Sequence, residues 1–183
     1  SGSTGILPLV LDNARSEHTS YDGAAHHFMI DSEPFEKLQT LAQASGASVF
    51  MVLMSAYCLL LHKETETQDV LVGTDVANRH HPELETLIGF FINVLPIRSD
   101  ISHKQSFLDY LQSMKETLFS AFEHQHLPFE QIVEALNVPR IKGVNPLVQT
   151  LFVMQNTPSE ITHLPGLDIE PLTNEQPSSR FDL

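Results

Sequence analysis

The chain has 183 residues, of which 42% are hydrophobic, and a formal net charge of -13 from 10 basic and 23 acidic residues. That length suits one domain or one lobe of a larger one, and the apolar share is enough for a packed core, which excludes a disordered chain. The acidic balance repels phosphate backbones and argues against a nucleic-acid partner. A single cysteine, Cys58, excludes an internal disulfide. It lies inside the apolar run "MVLMSAYCLLL", where a buried structural thiol is expected rather than a nucleophile, because a reactive thiolate needs an accessible, electropositive setting. The same run is too short to span a bilayer, and no basic segment precedes the short apolar patch near the start, so neither a membrane span nor a secretory signal is expected. A cytoplasmic location fits these features.

In chain order, residues 1–23 read as a loop or linker. "AHHFMIDS" (25–32) follows, and the alternation over 24–31 predicts a short strand. "SEPFEKLQTLAQAS" reads as an amphipathic helix with Ser32 as its N-cap and Pro34 in the first turn. Gly46 ends it. Ser48 is placed to cap a second helix over about 49–62, apolar on nearly all sides and therefore a core helix. Phe50, Met51 and Met54 on it are expected in the core. "DVLVGTDVA" (69–77) predicts a buried strand, "NRHHPELETL" a loop, and "FFINVLPIR" (90–98) a second strand, with Pro96 placing it at an edge or near a bulge. Ser106 and Asp109 form a capping box for a long helix over about 107–123. A short helix begins at Pro128. "PLVQTLFVMQN" (146–156) reads as a third strand, and one short strand is expected at 167–171. Helices and strands interleave, so the fold class is α/β. The chain stops at "SRFDL", where a new apolar pattern begins, and this reads as a fragment truncated at its C-terminus.

Common hydrolase, NTPase and dinucleotide signatures are absent: there is no G-x-S-x-G, no P-loop and no G-x-G-x-x-G. His80 and His81 lie near Glu83 and Glu85, and His124 and His126 lie near Glu123. Neither group has C-x-x-C or H-E-x-x-H spacing, so solvated loop histidines are expected and no metal site.

Four ordered runs carry a resemblance. "VLVGTDVANRHHPELE" (70–85), "LIGFFINVLPIR" (87–98), "HQHLPFEQIVEAL" (124–136) and "NPLVQTLFVMQN" (145–156) closely resemble the second half of condensation domains of nonribosomal peptide synthetases, whose runs look like IGxFVNT, HQDxPFE and NPLFQVMF. The chain departs at His126, where the family carries an acidic residue, and at Val94, where threonine is common. The resemblance implies a chloramphenicol acetyltransferase-like lobe, a mixed sheet packed with helices, over residues 24–183. In the parent, two such lobes form a V with a tunnel between them. Donor and acceptor peptidyl carrier proteins deliver thioesters there on phosphopantetheine arms, and the acceptor amine attacks the donor thioester to form an amide. No cofactor is expected to bind this chain directly.

The second histidine of HHxxxDG is the residue usually held responsible for handling the proton or positioning the amine, and it belongs to the first lobe. "AHHFMIDS" nearly matches that run but has Ser32 in place of its glycine, and it occupies the strand position that opens the second lobe. His27 is therefore a near-match and no catalytic residue is expected in this chain. The missing N-terminal lobe would be its partner. Asn93, Asn145, Gln149, Gln155 and Arg79 are candidates for the tunnel wall. Asn93 can meet a pantetheine amide or a tetrahedral centre, or pair with backbone near Pro96. Asn145, Gln149 and Gln155 either line a crevice or make structural hydrogen bonds. Arg79 either meets a phosphate or carboxylate or is an exposed loop arginine. Two other readings stay open: a free-standing acyltransferase using His27, with sites assembled between subunits, and a non-catalytic module that only docks a carrier protein.

Overall fold

The computed structural model describes residues 6–11, 21–79, 81–155, 167 and 178–183. Six regular elements occur among them: α1 (Ser32–Ala44), α2 (Val49–Thr65), β1 (Asp69–Val76), β2 (Asn93–Asp100), α3 (Phe107–Glu123) and α4 (Phe129–Ala135), with one turn of 3-10 helix at Pro82–Leu84.

The helices start where short polar side chains satisfy otherwise orphaned N–H groups. Ser48 Oγ accepts from the Met51 amide at 3.2 Å to open α2. Ser106 Oγ accepts from the Asp109 amide at 3.2 Å and donates to the Asp109 carboxylate at 2.6 Å, so the box expected at α3 is present. At α1 the expectation is one residue late. Ser32 is already helical, and the N-cap is Asp31, whose carbonyl accepts from Phe35 N. Pro34 remains inside the first turn, where its missing N–H costs nothing. Gly46 adopts φ 57° and ends α1 as expected, while Ala47 N returns to Ala42 O at 2.8 Å. The left-handed geometry favours glycine there. α2 runs three residues past the expected end, because Glu66 rather than His62 takes the left-handed terminating conformation.

β1 and β2 are antiparallel, with Gly73 opposite Pro96 and Val76 opposite Asn93. On its other side β1 meets the 150–152 segment: Gly73 N donates to Thr150 O at 2.9 Å, and Phe152 N donates to Gly73 O at 2.8 Å. Both polar groups of Gly73 thus point away from β2, which makes Gly73–Pro96 a non-hydrogen-bonded pair. The nitrogen of Pro96 faces the outer edge of β2, so no ladder bond is lost, and the expectation of an edge position for this proline holds.

Two predicted strands are corrected. Residues 24–31 carry no strand pairing; the nearest is an isolated bridge between Asp22 and Ser178. The alternation there has no core to face, and Phe28, Met29 and Ile30 are exposed. Of the expected 146–156 strand, the described part, 146–155, is not continuous either, and among the described residues only a single parallel bridge joins Leu151 to Gly73. Leu147 has φ 67°, and Val148 N turns back to Pro146 O at 2.8 Å, which interrupts the extended conformation. The far side of this segment bonds to the chain end, through Leu151 N to Leu183 O and Asp182 N to Gln149 O, each 2.8 Å. The 167–171 strand falls outside the described residues except for Leu167.

β1 is buried on both faces. Val70 and Val72, with Leu95 and Ile97 of β2, pack on α2 and α3 through Met54, Cys58, Leu61, Leu111 and Leu118. Leu71 faces the other way, onto Val133 of α4, Leu147 and Val148. α3 supplies Tyr110, Leu111, Met114 and Leu118 to the core, the spacing of one helical stripe. The read of Met51 and Met54 as core holds, with both buried. Residues 6–11 form no helix or strand, yet Leu7 is buried in the main core. Cys58 is buried, and burial pushes its thiol up to about 12. No single helix among the described residues is long and apolar enough to cross a membrane.

Candidate functional site

The four motif runs converge on the β1–β2 ribbon. Asn93 opens β2 and is nearly buried. Its Nδ2 donates to Gln125 O at 2.9 Å and Leu127 O at 2.8 Å, while its Oδ1 accepts from Phe129 N at 3.1 Å. One carboxamide therefore holds the whole turn between α3 and α4. That turn, "HQHLPF", cannot satisfy these backbone groups itself, since α3 ends at Glu123 and α4 starts only at Phe129. The backbone pairing foreseen for Asn93 is present, although its partners lie over thirty residues away rather than near Pro96.

Gly73 joins the "VLVGTDV" run to "NPLVQTLF". A Cβ there would lie 2.7 Å from Val148 Cγ1 and 2.8 Å from Leu151 Cδ1, so only glycine lets the two segments approach this closely. Gln149 is buried. Its Oε1 accepts from Leu7 N at 2.8 Å and its Nε2 donates to Asn145 O at 2.8 Å. Asn145 Nδ2 donates to Arg180 O. These two amides thus tie the N-terminal stretch and the chain end to the 145–152 segment. Gln155 is exposed beyond them. Arg79 stacks its guanidinium 4.3 Å from the centre of the Phe91 ring and donates to Leu84 O, which closes the loop over the 3-10 turn. The five named residues therefore do not form one cluster. Asn93 and Arg79 flank the 78–93 loop, and Asn145 and Gln149 lie on the opposite side of β1.

His27 is exposed and makes no hydrogen bond or ion pair with any described residue, and its neighbour His26 stacks on Phe28 at 6.1 Å between ring centres. Asp31 is the N-cap residue of α1 through its backbone carbonyl, and its side chain makes no capping hydrogen bond. A general base needs an orienting partner, and no described residue hydrogen-bonds to His27. His81 Nδ1 lies 3.7 Å from Glu83, and His124 Nδ1 meets Ser120 O at 2.8 Å. No group of three metal-ligating side chains occurs among the described residues.

Sequence reasoning missed a groove of about 190 Å³ lined by Phe50, Thr74, Asp75, Phe122 and Met154. Phe50, expected in the core, packs against it while half-buried and also lines the groove, its ring tilted 6.4 Å from that of Phe122 and 5.8 Å from that of Phe152. Partial burial raises the Asp75 carboxyl from its ordinary value. One signal was available: an acid inside a strand that otherwise reads as buried.

A family model described as the condensation domain matches residues 1–183. The chain belongs to the condensation-domain family. It is 36% identical over 183 residues to tyrocidine synthase 2 of Brevibacillus parabrevis, a match that covers all of this chain and 5% of that protein. It is 38% identical over 182 residues to bacitracin synthase 3 of Bacillus licheniformis, covering all of this chain and 3% of that protein. The chain thus spans a small fraction of the length of the curated relatives it matches. Among solved structures, a four-domain nonribosomal peptide synthetase bound to AMP and glycine matches with a TM-score of 0.82 at 26% identity, over 84% of this chain and 12% of that one. The X-domain from teicoplanin biosynthesis matches at 0.74 and 27%, over 78% of this chain and 32% of that one. The condensation domain thus has the chloramphenicol acetyltransferase-like α/β fold that the motif runs implied.

Proposed function

We propose that this chain is the C-terminal lobe of a condensation domain that forms amide bonds in a nonribosomal peptide synthetase. It supplies one wall of the tunnel between two lobes and part of the surface that docks donor and acceptor carrier proteins. The observation that carries this reading is the 87–92 segment, inside the run most characteristic of the family. Leu87, Ile88, Phe90 and Ile92 are all exposed, with Ile88 and Phe90 almost entirely in solvent. A concentrated apolar rim of this kind marks a surface built to be covered. The N-terminal lobe, residues absent from this chain, is its proposed cover.

The chemistry then follows from proximity. The acceptor amine attacks the donor thioester carbonyl, the tetrahedral centre collapses, the pantetheine thiol leaves, and the amine proton passes to a base. Fixing amine and thioester in attack geometry contributes several kcal/mol without further machinery. The base belongs to the missing lobe, and the exposure of His27 supports leaving it out. The five polar residues would serve the tunnel wall indirectly. Asn93 and Arg79 hold the loops that frame it, Asn145 and Gln149 hold the segment behind β1, and Gln155 is the one free to face a ligand. The phosphopantetheine arms arrive on the carrier proteins, and the assembly is placed in the cytoplasm.

The test is amide synthesis from donor- and acceptor-loaded carrier proteins, followed by mass spectrometry. The chain alone is expected to give no product. Product is expected when the parent's upstream lobe is restored, and His27→Ala should leave that product unchanged. Product from the chain alone that His27→Ala abolishes would overturn the reading in favour of a free-standing acyltransferase. Carrier binding without turnover, even with the upstream lobe, would favour a docking module.

A further inference from the structure

The groove at the end of β1 has a composition that selects a ligand. Three of its five lining residues, Phe50, Phe122 and Met154, are apolar, and none is basic. Its one charged group is Asp75, which makes no hydrogen bond or ion pair with any described residue. An unpaired carboxylate in apolar surroundings is costly to keep and is relieved by a cation. The raised proton affinity of Asp75, caused by burial, is the signature of that cost. Phe50 and Phe122 also line the groove, and an aromatic lining favours a cation over a neutral or anionic head. Size narrows the choice further. The volume of about 190 Å³ is below the ~300 Å³ at which drug-sized sites begin, so the groove admits one side chain and a small head group.

We propose that this groove is a subsite for a primary ammonium borne next to a small apolar side chain, with Asp75 as counter-ion and Phe50, Phe122 and Met154 as walls. The chemical class is that of an amino acid amide with a free α-amine. The subsite is argued from this chain alone. That its natural occupant is a carrier-bound aminoacyl group rests on the proposed function.

The experiment titrates the 183-residue chain with L-leucinamide, following amide chemical shifts by NMR and heat by calorimetry. Glycinamide, without the side chain, and N-acetyl-L-leucinamide, without the charge, serve as comparisons. Saturable binding with Kd on the order of 1 mM is expected for leucinamide, with the largest shifts at Thr74, Asp75 and Met154. The two comparison compounds should bind at least about tenfold more weakly, and Asp75→Asn should lose the same factor. Met154→Trp, which fills the groove without touching the charge, should abolish binding, and it keeps the test open if Asp75→Asn does not fold. Equal affinity for the acetylated compound, unchanged affinity in either variant that melts like the parent, or no saturation would overturn the subsite. Amide synthesis in the reconstituted domain is read separately. Its failure with leucinamide binding intact rejects the lobe assignment and spares the subsite, and the reverse pattern rejects the subsite alone.

Discussion

Two apolar regions of this molecule have opposite fates. In the core, α2, α3 and the ribbon bury Met54, Leu61, Ile97, Leu111 and Leu118 almost completely. At the rim, the 28–30 and 87–92 segments hold Phe28, Met29, Ile88 and Phe90 in solvent. Residue type does not separate them, since both are rich in large apolar side chains. What separates them is periodicity joined to partners. The core residues recur at helical or strand spacing on elements that have another element to pack against. The rim residues lie on segments without ladder or helix, and they stay exposed among the described residues. The comparison teaches that apolar content alone does not build a core.

The largest expected effect lies in the core. Leu118→Ala should cost about 3 kcal/mol in urea unfolding, because a fully enclosed side chain leaves a cavity between α3, α2 and the sheet. A loss below about 1 kcal/mol would mean that the helices repack freely and the core is not close-packed. Asn93→Ala comes next, at about 2 kcal/mol, since it strips the carbonyls of Gln125 and Leu127 and the amide of Phe129 of their partner. Hydrogen exchange at the Phe129 amide should accelerate with it, whereas a purely ligand-binding Asn93 would leave that amide protected. Gly73→Ala should cost about 1–2 kcal/mol by crowding Val148 and Leu151. Unchanged stability there would show that the 148–151 segment can move away from β1.

A smaller effect is read by pH. Burial raises the Cys58 thiol to about 12 in the folded chain, above its usual value near 8.5 when unfolded. The folded state holds this proton more tightly, so its contribution is complete below about 8.5 and is lost as pH rises toward 12. About 1 kcal/mol should be lost at pH 9 relative to pH 7, and Cys58→Ala should flatten that dependence. The smallest effect on stability belongs to the rim. Ile88→Ser with Phe90→Ser should change the unfolding free energy of this chain by less than about 0.5 kcal/mol. The same pair should weaken association with the upstream lobe in a pull-down or titration. A strongly destabilised double variant would mean the rim already packs within the chain, which would erase the contrast with the core.

Much of this was legible in the residues. Ser48, Ser106 and Asp109 announce their helices because capping is local chemistry between a side chain and an amide three residues on. The all-apolar run of α2 and the β-branched run of β1 announce burial because no polar face is available to wet. Pro96 signals an edge because it lacks a donor. The strand read over 24–31 failed where a period-2 pattern had no neighbour, and the 146–156 strand failed at Leu147, whose positive φ no residue type foretells. The four family runs pointed to the fold, but they did not reveal that Asn93 and Gly73 are what binds those runs together.

The sequence by itself determined the α/β class, the starts of α2 and α3, the core helix and the family, because these depend on spacing, local capping and composition. Only the tertiary structure decided that Asn93 clamps the α3–α4 turn, that Gln149 and Asn145 tie Leu7 and Arg180 to the 145–152 segment, that Asp75 lines a groove with no ion pair among the described residues, and that His27 stands in solvent. Each of these depends on which backbone groups and side chains long-range packing brings together, and no local pattern encodes that distance.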